Sequence, residues 1–312
     1  MFSFFKRDPN NAIDIFYSDA YVLAEMDVQS FGVFDPKRFL KIRDRLIRDN
    51  LMKYDDFIKP DMISNSLLEL AHTKKHIEKL GDPISVARML GLQSSHSWDN
   101  HIIDYFKTMS GGTVSGFMRA LKNREIPVFN LGGGFHHAHA GKAEGYCIIN
   151  DTVIAIRNAR HKYMNLKVIV IDLDYHQGNG NLILLKDDNL TYTFSISAIE
   201  WVDCKKDNNL ELMVPIGCKD EQYLALLSDK LPQTLDDFRP DAAIYIAGND
   251  PFVEDALCDL EISEKGMLDR DLMVYNMLKD RKISAFMVPA GGYGPSAWKP
   301  YYNFIKSVIM KA

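Results

Sequence analysis

Runs of near-continuous apolar, often β-branched residues recur along this chain, at residues 12–17, 127–131, Val168–Asp172, 191–196, 242–247 and 283–288. Each run has the length of a strand, and near-continuous apolar stretches of that length are expected for strands covered on both faces. The intervening segments supply that cover. Asp35-Pro36 reads as an N-cap with proline at the first helical position, opening a helix with Phe39, Ile42 and Leu46 at helical spacing. Residues 67–80 read as a second helix, closed by Gly81 and Pro83. Residues 151–164, 221–238 and 265–282 read as crossovers, the second of them kinked or split by Pro232. Strands alternating with helices predict an α/β fold, a mostly parallel sheet with helices on both faces. In such sheets, sites form beyond the carboxyl ends of the strands.

No fixed-period repeat, low-complexity tract or Ser/Gly/Pro-rich linker interrupts the pattern, so one domain over residues 1–312 is expected. With 46% hydrophobic and 25% charged residues, the chain is neither disordered nor a small disulfide scaffold. Its 37 Lys and Arg against 42 Asp and Glu lack the basic excess of a phosphate-tracking protein, so no direct nucleic-acid partner is expected. The cysteines, Cys147, Cys204, Cys218 and Cys258, form no CxxC pair and fit reduced thiols. Met1-Phe2-Ser3-Phe4-Phe5 is too short an apolar run for a signal peptide, and no run approaches the roughly 18 to 20 apolar residues of a membrane span. The expected location is cytoplasmic. Oligomeric state is not legible.

Four of the strand exits carry unusual residues: Asn130-Leu131-Gly132-Gly133-Gly134-Phe135-His136-His137-Ala138-His139, Asp172-Leu173-Asp174-Tyr175-His176-Gln177-Gly178-Asn179-Gly180, Ala247-Gly248-Asn249-Asp250 and Ala290-Gly291-Gly292-Tyr293. Strand periodicity points Asp172, Asp174 and His176 the same way. One carboxylate and one imidazole from that face, with Asp250 from another exit, make an Asp-His-Asp set. Three protein ligands with a fourth position open is how a catalytic zinc is held. A strand-end aspartate on its own is ordinarily a helix cap. Four such exits together are not ordinary. His136-His137 suits acid/base work near neutral pH, although the pair alone would read as solvent-exposed residues after a glycine turn. The three glycines match no phosphate-binding pattern and are better read as letting the backbone turn sharply. Gly291-Gly292 before Tyr293, an ordinary turn if it stood alone, would deliver a phenol on a flexible loop.

In this order and spacing the four motifs resemble the zinc-dependent histone deacetylase family. The likeness extends to Ala71-His72-Thr73-Lys74-Lys75-His76-Ile77, to Gly111-Gly112-Thr113 and to residues 267–271, so it covers most of the chain. Gln177, Asn179 and Asp269-Arg270-Asp271 are most similar to the class IV branch and its bacterial relatives. The resemblance implies an arginase/deacetylase-like three-layer fold with a central, mostly parallel eight-stranded sheet. It implies hydrolysis of an acyl group, acetyl or longer, from a lysine ε-amine of a protein or peptide. It makes Asp174, His176 and Asp250 the Zn2+ ligands, and His136, His137 and Tyr293 catalytic, with Asp172 behind the first histidine and Asn179 orienting the second. Gly134, Phe135, Gly145, Tyr146, Gly291 and Gly292 are expected to form the substrate channel. A structural K+ or Na+ is expected beside Asp172, Asp174, His176 and Ser195. Cys147 reads as a buried small residue.

The chain departs from the family pattern where Gln177 stands in place of a second histidine and Asn179 in place of an aspartate. Residues 198–210 lack the Pro-Gly-rich aromatic loop that forms one channel wall in class I enzymes. The implied preference for long fatty acyl chains therefore has a physical motive, a channel open on that side, unless Trp201 folds inward. No match for the aspartate that grips peptide backbone in some relatives stands near 95–104. Three alternatives stay open: an amidohydrolase of small acylated amines such as acetylpolyamines, a non-catalytic acyl-lysine binder, and an arginase-like manganese hydrolase.

Overall fold

The computed structural model describes residues 13–23, 32–92 and 99–311. Its centre is a seven-stranded, all-parallel sheet in the order β1-β2-β7-β6-β3-β4-β5. The strands are β1 (Asp14–Phe16), β2 (Val128–Asn130), β3 (Val168–Asp172), β4 (Thr191–Ser197), β5 (Asn209–Met213), β6 (Ala242–Ile246) and β7 (Ser284–Val288). The expected α/β architecture is present, with seven strands among the described residues against the eight expected.

The apolar runs became strands for the reason given: every residue of β3 and β6 is buried. An Ile169→Ala change in β3 would remove a fully buried side chain at a cost of about 2–5 kcal/mol. β5 was not anticipated. It is an edge strand, mostly half-buried, and Asn209 and Glu211 break its apolar pattern.

The helices are α1 (Arg38–Arg48), α2 (Asn65–Leu68), α3 (Lys74–Lys79), α4 (Pro83–Met89), α5 (Asn100–Lys122), α6 (Asp151–Arg160), α7 (Asn179–Leu185), α8 (Asp220–Phe238), α9 (Glu264–Asp280) and α10 (Lys299–Lys311). Three expectations need correction. Asp35 does not cap α1; its Oδ1 accepts from Lys37 N at 2.9 Å in a turn, and the helix begins at Arg38. The single helix over 67–80 is two short ones, because Ser64 caps α2 and Thr73 caps α3 with their side chains. Pro232 lies inside α8 without splitting it.

The topology explains why four distant motifs meet. β2, β7, β6 and β3 are consecutive in the sheet, and because all run parallel their carboxyl ends lie side by side. Buried Arg270 of α9 secures two of those ends, with Nη1 donating to Leu173 O at 3.1 Å and Gly248 O at 2.9 Å. Among the described residues no helix is long and apolar enough to cross a membrane.

Candidate active site

Leu173 and Tyr175 enter the core, as alternation requires, leaving Asp174 and His176 to the strand-end cleft. Asp174 Oδ1 accepts from His176 N at 2.9 Å, and its Oδ2 accepts from Gly291 N at 2.8 Å. Asp250 Oδ1 accepts from Tyr175 N at 3.0 Å. Backbone amides thus aim both carboxylates at His176 Nδ1, which lies 3.3 Å from Asp174 Oδ1 and 3.1 Å from Asp250 Oδ2. One ring nitrogen carries at most one hydrogen, which two carboxylates can only share in a weaker three-centre bond. A cation among these three groups resolves that conflict, and an Asp2His donor set suits zinc. The approach depends on Gly291, since a Cβ there would collide with Oδ2 of both aspartates.

Electrostatics agree with a cation-binding cluster. Burial and the neighbouring Asp174 charge push the Asp250 carboxyl up to about 7. Burial also opposes ionisation of Asp174, but His136 and His176 prevail and hold it well below the usual carboxylate range. His176 is pushed up to about 10, its burial outweighed by the two aspartates. Cys258 was not anticipated here. Its sulfur and the ligand atoms of His176 and Asp250 all lie within 4.8 Å of one another, while burial pushes the thiol up and keeps it protonated.

The paired histidines follow β2 on a loop whose tight turn passes through Gly134 at φ +78°. Buried Asp151 at the start of α6 holds that loop, accepting from Gly134 N at 2.9 Å and Phe135 N at 2.8 Å. Sequence reasoning read Asp151 only as the start of a helix. His136 Nδ1 meets Asp172 Oδ2 at 2.9 Å and His137 Nδ1 meets Asn179 Oδ1 at 2.7 Å, with ring centroids 4.0 Å apart. The two rings diverge in charge. Burial works against a charged His136, but Asp172 and Asp174 raise it to about 9. Burial and the charge of His136 hold His137 well below the ordinary imidazole value, so it is a neutral acceptor.

Tyr293 lies nearly edge-on to His176, ring centroids 6.3 Å apart, with its backbone N donating to Asp255 Oδ2 at 2.6 Å. Gly134, Phe135, Gly145, Tyr146 and Gly291 line a narrow channel together with His136, His137 and Tyr293. Gly292, expected in that wall, does not line it; its carbonyl accepts from Arg38 Nη1 at 2.6 Å. Arg38, Phe34 and Phe106 also line the channel and were missed, because an arginine near the start of an amphipathic helix carries no signal of burial. On the side of residues 198–210, Trp201 stacks on His137, a residue of the channel lining, although Trp201 itself does not line the channel. Cys147 is buried beside the channel with its thiol pushed up, as a structural residue should be. Ser195, expected beside a monovalent cation, gives its hydroxyl hydrogen to Glu211 Oε2 at 2.6 Å. The 95–104 segment lies partly outside the described residues.

Comparison with known proteins adds an independent line. Residues 32–305 match the histone deacetylase domain family. Histone deacetylase 2 of Arabidopsis thaliana is 28% identical over 96% of this chain and 79% of that protein. The acetoin utilization protein AcuC of Staphylococcus aureus (strain MSSA476) is 23% identical over 85% of this chain and 73% of its own length. The crystal structure of the HDA15 HD domain superposes with a TM-score of 0.75 at 19% identity, covering 95% of this chain and 90% of that one.

Proposed function

The chain belongs to the histone deacetylase family, and on that premise we propose that it is a zinc-dependent hydrolase removing acyl groups from lysine ε-amines of proteins or peptides. The observation that carries this reading is the convergence of Asp174 and Asp250 on His176 Nδ1, at 3.3 and 3.1 Å, beside the His136–His137 pair. Asp174, His176 and Asp250 would hold the zinc, which supplies Lewis-acid polarisation of the amide carbonyl and acidifies water.

The remaining roles belong to this chain's side chains. Neutral His137, its Nδ1 engaged with Asn179, presents Nε2 to take the proton of the attacking water and return it to the leaving amine. His136, charged through Asp172, stabilises negative charge on the carbonyl oxygen without transferring its own proton. The Tyr293 hydroxyl donates to that oxygen; burial and the Asp250 and Asp174 charges keep the phenol protonated. Gly145 and Tyr146 form one wall of the channel that admits the acyl-lysine.

The test is turnover of matched acyl-lysine peptides and an acetylpolyamine, with added zinc, with a chelator, and with zinc restored. Hydrolysis of the peptides that the chelator stops and zinc recovers is expected. Turnover of the polyamine alone would replace this reading with a small-amine amidohydrolase, and zinc-loaded protein inert on all of them would point to a binder.

A further inference from the structure

Glu144 directly precedes Gly145 and Tyr146 of the channel wall in the sequence. In the fold, Glu144 N donates to Cys147 O at 3.1 Å and Cys147 N to Glu144 O at 2.8 Å, so the turn carrying the channel wall also fixes the root of this side chain. Its Oε2 accepts from Asn179 Nδ2 at 2.8 Å and meets His139 Nε2 at 3.0 Å, while Oε1 pairs with Lys142. Although partial burial opposes it, Lys142, His139 and Asn179 hold the carboxyl down at about 2. It is therefore ionised, and an ionised carboxylate accepts hydrogen bonds but donates none.

That asymmetry propagates. Asn179 must turn its NH2 toward Glu144, which leaves Oδ1 facing His137 Nδ1 at 2.7 Å. An amide oxygen also only accepts, so the hydrogen of the neutral ring sits on Nδ1 and the lone pair on Nε2. Without Glu144 the Asn179 NH2 keeps only the longer contact to His139 Nε2 at 3.4 Å, so the amide can rotate by half a turn and offer NH2 to the ring, which favours the opposite tautomer and places the hydrogen where a base needs a lone pair.

We propose that Glu144 is the positioning residue of His137, acting through Asn179 to hold the imidazole in its Nδ1–H form. This rests on the reading of His137 as the base of an amide hydrolase. It explains how a site with asparagine in place of a directly bonded carboxylate keeps its histidine in one form: the carboxylate stands one hydrogen bond further out.

Zinc-loaded protein isotope-labelled at histidine nitrogen reports the tautomer of each ring by NMR, with His137 assigned by its loss in His137→Gln. The wild type should show His137 as Nδ1–H. Glu144→Ala should show both tautomers and lose about tenfold in kcat on an acyl-lysine peptide, with KM little changed. Glu144→Gln, whose carbonyl can still accept from Asn179 Nδ2, should recover most of both. In an Asn179→Asp background a carboxylate accepts from Nδ1 directly, so adding Glu144→Ala should no longer lower kcat. A single Nδ1–H form with intact kcat in Glu144→Ala overturns the proposal. So does an equal loss in both backgrounds accompanied by a lower Tm, which would make Glu144 a brace of the turn. A tautomer change in protein whose wild type is inert on acyl-lysine would remove the hydrolase reading and leave the positioning standing.

Discussion

The indole of Trp201 lies against the imidazole of His137, ring centroids 4.1 Å apart and planes 18° from parallel. Residues 198–210 lack the family's aromatic loop, yet an aromatic ring from that segment covers His137, the proposed base. The stack has two consequences. It favours charge on His137 when the ring takes a proton, as an aromatic face does for any cation. It also covers a face of His137 that, without the indole, would be open toward residues 198–210 for a long acyl chain.

Trp201→Ala should therefore lower kcat on acetyl-lysine while shifting acyl preference toward longer chains. Each methylene newly buried contributes about 0.8 kcal/mol, so two of them move the octanoyl-to-acetyl ratio of kcat/KM by about tenfold. Matched acetyl, octanoyl and myristoyl peptides measure it. A wild-type protein that already prefers myristoyl, with a ratio unmoved by the substitution, would show that the chain leaves by another route.

The proposed zinc ligands give a second prediction. Asp174→Ala, His176→Ala and Asp250→Ala should each abolish stoichiometric zinc, because two ligands hold a catalytic ion poorly. Cys258 has a sulfur within reach of the same centre, but its thiol is held protonated by burial and by Asp250. Cys258→Ser should retain one zinc per chain by elemental analysis. Loss of zinc in that variant would make the thiol a ligand and revise the set.

These residues differ in how far the sequence foretold them. Asp172, Asp174 and His176 stand within one alternating stretch, and local spacing alone puts them on one face. β3 was legible to the residue because strands buried on both faces have a distinctive apolar run. β5 was not, because an edge strand half in water looks like a loop. The α2–α3 break was missed because Ser64 and Thr73 read as ordinary polar residues until their hydroxyls are seen accepting from backbone amides. Supporting side chains were the least legible. Glu144 acts across 35 residues and Arg270 across 97, and a charge whose partner is that distant in sequence looks like any surface charge.

Tyr293 separates hydrolysis from metal binding. Tyr293→Phe keeps the buried ring and all backbone contacts but removes the hydroxyl. Zinc content and Tm should stay near wild type, while kcat falls roughly 100-fold, the scale of losing one oxyanion donor. An unchanged kcat would make Tyr293 a packing residue of the Gly291-Gly292 loop.

Glu211 supplies the pH dependence. Its Oε2 accepts from Ser195, Oε1 is buried with no partner among the described residues, and burial with the nearby Asp172 charge raises its pKa from 4.5 to about 7. A folded-state pKa above the unfolded one means that the folded protein holds the proton more tightly. The stabilisation is fully present below about 4.5 and is lost as pH rises through about 7. That shift sets a ceiling of about 3 kcal/mol on the loss. Glu211→Gln keeps an acceptor for Ser195 and cannot ionise, so its stability in urea should fall less between pH 5 and pH 8 and exceed that of the wild type at pH 8. A monovalent cation bound beside Ser195 and Asp172 would neutralise the Glu211 charge and restore wild-type stability at high pH. The titration should therefore be run in potassium, sodium and tetramethylammonium salts at equal ionic strength. Matching curves for wild type and Glu211→Gln in tetramethylammonium, where no small cation can enter, would remove Glu211 as the titrating group. Separation there that closes in potassium or sodium would show that a small cation neutralises the Glu211 charge.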